Sequence, residues 1–195
     1  MTQHPQAWRM KLVAQRILAG DVIAYPTEGV WGLGCLPENE EAVARILALK
    51  QRSWEQGLIL AAASIEQFDD YLEGITAEER STLESAWPGP VTFVVPDNGT
   101  APLWIRGKHD SVALRVSAHP VVSAICNQLG GPIVSTSANP SNRAPATSPL
   151  RLRQYFPEGV DYVVPGELGG AAGASEIRLL RTGEIIRPAA TGRSS

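Results

Sequence analysis

Hydrophobic residues recur along the chain at two spacings, and these predict two kinds of element. Helical spacing and capping residues predict helices over 8–19, 40–51, 65–72, 77–86, 120–129 and 149–156. Continuous or alternating apolar runs predict strands over 22–25, 58–63, 91–95, 111–117, 132–136, 160–164, 176–180 and 184–187. The glycine-rich residues 29–34 are predicted to form a turn in which backbone passes close to another group. This irregular alternation predicts an α/β fold, a mixed sheet with helices packed on it.

Alternation within residues 111–117 places Val112, Leu114 and Val116 on one face of the predicted strand. Arg115 therefore points away from its apolar neighbours. The face that Arg115 occupies is either open to solvent or part of a cleft, and the pattern alone leaves both open.

Composition limits the class of protein. The 195 residues are 44% hydrophobic and 19% charged, with a net charge of −3, which is typical of a globular protein and unlike a basic nucleic-acid-coating protein. Cys35 and Cys126 are too few for a disulfide framework and are predicted to be small core residues. With three scattered histidines, no apolar signal core and no run of 18 apolar residues, we expect no zinc site, no membrane span and a cytoplasmic protein.

The common nucleotide and hydrolase signatures, such as G-x-x-x-x-G-K-[ST], G-x-G-x-x-G and G-x-S-x-G, are missing from the sequence. Polar side chains nevertheless occur at the ends of predicted helices and strands, where these elements join loops. Lys50 and Arg52 are either solvated cations at a helix end or a phosphate clamp. Residues 135–139, S-T-S-A-N, either satisfy their own strand end or face a phosphate or amino-acid ligand. Glu28 is either a general base or a turn residue.

Several short motifs occur in a fixed order over residues 22 to 187, nearly the whole chain. They are Y-P-T-E at 25–28, K-Q-R at 50–52, W-P-G-P-V-T at 87–92, A-L-R-V at 113–116, S-T-S-A-N at 135–139, V-P-G-E at 164–167 and S-E-I-R at 175–178, followed by Arg187. Together they resemble the threonylcarbamoyl-AMP synthase (TsaC/YrdC) family, whose signature is K-x-R…S-x-N. Gly29 departs from the pattern, because family members often have a second threonine there.

The resemblance implies a single YrdC-like α/β domain over 8–190, a twisted mixed β-sheet flanked by helices with a concave basic cleft. It implies an enzyme, a nucleotidyltransferase that converts L-threonine, bicarbonate or CO2, and ATP into threonylcarbamoyl-AMP and pyrophosphate. Mg²⁺ is expected to accompany ATP. Partner proteins would move the threonylcarbamoyl group to the adenosine beside the anticodon in tRNAs that read codons beginning with A. A weak contact with RNA is a further expectation.

The resemblance also assigns roles to residues. Lys50 and Arg52 are expected to hold the triphosphate and to be catalytic. Ser111, Ser137, Asn139 and Arg187 are expected on the ATP side of the site. The residues expected around threonine are Thr27, Arg115, Ser135 and Ser175. No side chain is assigned as a protein ligand of the metal.

Three other functions compete with this interpretation. A non-catalytic RNA-binding or ribosome-assembly protein would need the same basic cleft, but the chain has no basic run and no RNA-module signature. A carbamoyl-transfer domain is the second alternative, and a hydrolase that pairs Ser137 with Lys50 is the third.

Overall fold

Short polar side chains cap several of the helices where the sequence predicts their first turns. In the computed structural model, which describes residues 6–190, Asn39 Oδ1 accepts a hydrogen bond of 2.9 Å from Ala42 N. Thr76 and Glu79 form a reciprocal capping box. The helices are α1 (Ala7–Leu18), α2 (Glu40–Lys50), α3 (Ala77–Ala86), α4 (Leu103–Arg106), α5 (Pro120–Leu129) and α6 (Pro149–Tyr155), with 3₁₀ turns at Trp54–Gln56 and Ile65–Leu72.

Within residues 6–190, nine strands form a mixed sheet. They are β1 (Ile23–Pro26), β2 (Trp31–Gly34), β3 (Ile59–Ala62), β4 (Val91–Pro96), β5 (Ser111–Val116), β6 (Ile133–Ser137), β7 (Tyr162–Val163), β8 (Glu176–Leu179) and β9 (Ile185–Arg187). Their order across the sheet is β7-β1-β2-β6-β3-β5-β4-β8-β9. The predicted α/β class, a mixed sheet flanked by helices, is confirmed, while the domain limits of 8–190 stay a prediction.

The glycine-rich turn predicted at 29–34 is wrong, because residues 31–34 form strand β2, paired antiparallel with β1. The glycines are needed for packing, since a Cβ at Gly34 would lie 2.8 Å from a carbon of the Tyr25 ring. The expected close approach is therefore real, but it occurs between two strands. Two other elements differ as well, because residues 65–72 form a 3₁₀ helix and α4 was not predicted.

The two faces of the sheet are covered differently. On one face, the alternating side chains Val112, Leu114 and Val116 are buried in the larger hydrophobic core. On the other face, helices α1 and α5 pack over Ile23, Tyr25, Ala61 and Ile133, forming a second core. Ile59 pairs with both Ser135 and Ala113 on this second face. Helices α1 and α5 cover only part of it, and the rest is concave.

Candidate active site

The uncovered part of the second face forms a cavity of about 450 Å³. Residues from seven strands, helix α4 and several loops line it, and most of the polar ones come from β5, β6 and the segments before and after β8. Eight of the ten residues predicted for the site line this cavity: Thr27, Arg52, Ser111, Arg115, Ser135, Ser137, Ser175 and Arg187. Lys50 and Asn139 do not. Residues separated by up to 160 positions in the sequence therefore meet at one concave surface.

Four arginines line the cavity: Arg106 is paired with Asp97, and Arg52, Arg115 and Arg187 bring positive charge close to one another. Burial, and then the nearby Arg187, lower the pKa of the Arg52 guanidinium. Burial and the charge of Arg115 lower the pKa of Arg187 in the same way. These three cations therefore repel one another in a partly buried place, an arrangement that an anionic ligand would relieve. Arg52 Nη2 donates to Gly57 O at 3.0 Å, and its buried Nε has no partner among residues 6–190.

Lys50 lies behind the cavity wall instead of in it. Its side chain is 3% exposed, and Nζ donates to the backbone oxygens of Ser137 and, at 3.0 Å, Asn139. Burial, with a smaller effect of Arg52, lowers the pKa of Lys50 from 10.5 to about 8. In this structure Lys50 holds the 137–139 bend, so it supports the Ser137 end of the cavity from beneath. The predicted contact between its ammonium and a phosphate stays a prediction.

A left-handed residue sends the two basic side chains in different directions. Helix α2 ends at Lys50, and Gln51 follows with φ 50°, the left-handed conformation that ends many helices. The turn leaves Lys50 facing the core and places Arg52 at the cavity. Asn139 is held by bonds from its Nδ2 to Pro140 O and Arg143 O, while its buried Oδ1 is unpaired in the described part of the chain.

Arg115 forms an ion pair with Glu28, and both side chains are largely buried. Arg115 Nε also donates to Gly89 O at 3.1 Å. Glu28 Oε1 accepts from Ser117 Oγ at 2.8 Å and from Ala118 N at 3.1 Å. Burial alone would raise the pKa of Glu28, but Arg115 and Ser117 outweigh it and lower that pKa. Glu28 is therefore a held carboxylate that orients Arg115, and the general-base alternative loses support.

The hydroxyl groups of the cavity come from separate elements. Ser135 and Ser137 stand on β6, and Ser111 begins β5. Ser175 Oγ and Thr92 Oγ1 are 3.0 Å apart in a buried hydrogen bond, and Thr27 Oγ1 donates to Val30 O at 2.7 Å. Thr136 also lines the cavity, although strict alternation along β6 turns it to the opposite face. Hydroxyls can donate to a phosphate or carboxylate and accept from an ammonium group.

Sequence reasoning missed the wall formed by α4 and the turn after it. Ile105, Arg106 and His109 line the cavity, with Arg106 Nη1 donating to His109 O at 2.8 Å. Their four-residue helix gives too short a pattern to detect. Apolar side chains complete this side of the cavity: Leu58, Val94, Ile177, Leu179 and Ile186. A cationic region thus adjoins an apolar one, as a ligand with a charged tail and a flat ring would require.

Residues 6–190 contain no cluster of three or more histidine, cysteine or acidic side chains arranged to hold a metal ion. Within the same range no helix has the length and apolar character needed to cross a membrane. Cys35 and Cys126 are free and fully buried, which confirms them as core residues.

Comparison with known proteins shows which family this chain belongs to. A family model for Sua5, YciO and YrdC proteins, described as "Telomere recombination", matches residues 15–189. The chain belongs to this family. Among curated relatives, the threonylcarbamoyl-AMP synthase of Stutzerimonas stutzeri (strain A1501) is 55% identical over 93% of this chain and 98% of its own. The synthase of Nitrosococcus oceani is 51% identical over 92% of this chain and 97% of its own. The resemblance stated from the motifs is confirmed.

Solved structures agree with the family. A P. abyssi Sua5 structure complexed with L-threonine is 30% identical, with a TM-score of 0.88 over 96% of this chain. This chain spans 56% of that Sua5 chain. E. coli YciO, at 23% identity and a TM-score of 0.85, shares the fold over 96% of this chain and 92% of its own.

Proposed function

We propose that this chain is an L-threonylcarbamoyladenylate synthase, a nucleotidyltransferase that makes threonylcarbamoyl-AMP and pyrophosphate from L-threonine, bicarbonate or CO2, and ATP. The observation that carries the proposal is the meeting of Arg52, Arg115, Arg187 and a set of hydroxyls in one cavity. The curated relatives named as this synthase support it. The structure of P. abyssi Sua5 with L-threonine supports an amino-acid site in the same fold.

In this proposal the triphosphate of ATP lies between Arg52, Arg187 and the 137–139 bend. Guanidinium groups donate paired hydrogen bonds to phosphate oxygens, and Arg52 and Arg187 both line the cavity. Ser137, which lines the cavity, and Asn139, which does not, belong to the bend that Lys50 holds in place. The base then lies toward the apolar wall near Ile177, and Ser111 lies on the same side of the sheet.

Threonine is placed with its carboxylate at Arg115. Glu28 holds that guanidinium in position, and Arg115 lines the cavity. Thr27, Ser135 and Ser175 surround this end and offer hydroxyls to the ammonium and hydroxyl groups of threonine.

The reaction needs no covalent enzyme intermediate. The threonine amine attacks CO2 and loses a proton to give a carbamate, whose oxygen attacks the α-phosphorus of ATP while pyrophosphate leaves. Holding the reactants together is worth roughly 7–11 kcal/mol of barrier in well-oriented systems. Arg52 and Arg187 face the charge that builds on the leaving pyrophosphate, which is electrostatic stabilisation in a partly buried site.

Mg²⁺ is proposed to enter with ATP. Because the described residues offer no cluster of acidic ligands, the phosphate oxygens would supply most of its coordination, with the hydroxyl of Ser137 near by. Its chemistry would be to neutralise phosphate charge. The adenylate would pass to tRNA-modifying partner proteins in the cytoplasm, and a weak contact with RNA is part of the same proposal.

The test is mass spectrometry of the products after the protein is mixed with threonine, bicarbonate and MgATP. We expect threonylcarbamoyl-AMP and pyrophosphate in equal amounts, and neither when any one substrate is omitted. A folded protein that releases no threonine-dependent pyrophosphate contradicts the proposal. RNA binding without any adenylate would favour the non-catalytic alternative.

A further inference from the structure

A glycine-rich segment crosses one end of the cavity. Residues 165–174, here called the strap, run from the end of the β7 region to Ser175 and include four glycines. The strap is bound to the backbone after β1 by two hydrogen bonds, from Gly169 N to Thr27 O at 3.0 Å and from Ala171 N to Glu28 O at 2.8 Å. Its last residues, Gly173 and Ala174, line the cavity. The position of the strap therefore fixes one wall of the threonine end.

His119 connects the strap to the start of helix α5. The ring is 4% exposed, and its Nε2 lies 3.0 Å from Glu167 O on the strap. Its Nδ1 accepts a hydrogen bond of 3.3 Å from Val121 N, which caps α5. Because Nδ1 accepts, the proton is on Nε2, and Nε2 donates to the strap. The ring also packs beside Gly169, where a Cβ would lie 3.4 Å from His119 Cδ2.

The same histidine is tied to the Arg115 side of the site. His119 N donates to Ser117 Oγ at 3.2 Å, and Ser117 Oγ donates to Glu28 Oε1 at 2.8 Å. Glu28 in turn holds Arg115. Strap, histidine and carboxylate thus form one connected set of contacts around the proposed carboxylate site of threonine.

We propose that His119 is a positioning residue that clamps the strap through Glu167 O, and that this clamp sets the affinity of the site for threonine. The inference rests on the proposed function and deepens it. His119 does not line the cavity, so it acts through the strap and through Ser117. ATP binds at the other end, toward Arg52, so the clamp affects threonine more than ATP.

Two substitutions separate the clamp from the helix cap. His119→Asn keeps an acceptor near the position of Nδ1, and asparagine caps helices well, but it is too short to reach Glu167. His119→Gln places an amide nitrogen near the position of Nε2 and keeps the bond to the strap. We expect His119→Asn to raise the KM for threonine about five- to tenfold, the size of one neutral hydrogen bond, with the KM for ATP changed less than twofold. We expect His119→Gln to stay within about threefold of the unchanged protein for both substrates.

A role confined to capping α5 predicts the opposite order, with His119→Asn nearly normal and His119→Gln impaired. That order, or equal threonine KM values in all three proteins, would overturn the clamp. Thermal unfolding of each variant shows whether the fold is retained.

Hydrogen exchange of the substrate-free protein tests the clamp without relying on catalysis. The amides of Gly169 and Ala171 should exchange at least tenfold faster in His119→Asn than in the unchanged chain. The amide of Ser123, which bonds to His119 O within α5, is the internal control and should keep its rate. Unchanged exchange at Gly169 and Ala171 refutes the clamp. Failure of the proposed function would appear differently, as absence of product from the unchanged chain.

Discussion

At the scale of single residues, the site is built from charges that are held before any ligand arrives. Arg115 is oriented by Glu28 and by Gly89 O, and Lys50 is fixed between two carbonyls. A guanidinium held in this way loses little side-chain freedom when an anion binds, which favours affinity and orientation. The same arrangement makes the Arg115–Glu28 pair sensitive to substitution, because removal of one partner leaves the charge of the other buried without a counter-charge.

Arg115→Lys should raise the KM for threonine more than tenfold and change the KM for ATP less than threefold. Lysine keeps a cation beside Glu28 but cannot donate the two parallel bonds of a guanidinium to a carboxylate. Loss of one charge-assisted hydrogen bond corresponds to about 1.5–3 kcal/mol, or roughly 10- to 150-fold. Steady-state kinetics with each substrate varied measure both constants.

The control for this prediction is Arg115→Ala with and without Glu28→Gln. Arg115→Ala alone leaves a buried carboxylate unpaired, at a cost of about 3–5 kcal/mol of stability. The double variant should recover stability without recovering threonine binding. Equal effects on the two substrates in Arg115→Lys would argue against a carboxylate contact.

The position of Arg115 in the cavity could be predicted only in part from the sequence. Alternation in β5 correctly turned it away from Val112, Leu114 and Val116, but it could not distinguish solvent from cleft. That distinction depends on which part of the second face α1 and α5 leave open. The sequence pattern was also unable to show that the Lys50 side chain turns inward, because the left-handed conformation of Gln51 sets the direction of that side chain.

At the scale of elements, close backbone approaches decide where the strap lies. A Cβ at Gly29 would lie inside van der Waals contact of Gly173 O and 2.8 Å from Gly173 N. Glycine at position 29, where family members often have threonine, therefore leaves room for the backbone of the strap at Gly173. Elements such as α2 and β5, and also the short strands β7 and β9, could be predicted from pattern, whereas β2 and α4, each four residues long, were not, because their patterns are too short or too rich in glycine.

Gly29→Thr should lower activity, although family members often carry threonine there. The new side chain would displace Gly173 and with it Ala174 and Ser175 at the threonine end. We expect a several-fold higher KM for threonine and a smaller change for ATP.

Gly131→Thr is the matched control, because a Cβ at Gly131 meets no atom within 4 Å. It should leave both constants unchanged. Restored or improved threonine binding in Gly29→Thr would show that the strap yields easily and that its backbone contact with Gly29 is unimportant.

At the scale of the whole molecule, ligand binding should stabilise the fold, because the cavity joins residues from seven of the nine strands described in residues 6–190. ATP at 100 times its Kd contributes about 2.7 kcal/mol to stability. For a chain of this size that corresponds to a rise in Tm of about 5–10 °C. Scanning calorimetry or a dye-based thermal scan with and without MgATP measures it.

Arg52→Ala should keep a similar Tm without ligand and show about half the rise at the same ATP concentration, if its Kd increases tenfold. Arg45→Ala is a control of like charge, since Arg45 pairs with Asp161 at the surface and does not line the cavity. An undiminished rise in Arg52→Ala would remove Arg52 from the triphosphate site.

The strand order has a consequence during synthesis. β6, in the centre of the sheet, pairs with β2 and β3, and β8 and β9 supply the last wall with Arg187. Contacts so distant in the sequence form late. On the proposed function, a nascent chain on the ribosome would have to emerge almost to Arg187 before its nucleotide site was complete. Polypeptides released early by stalled translation would hold much of the sheet and yet make no product.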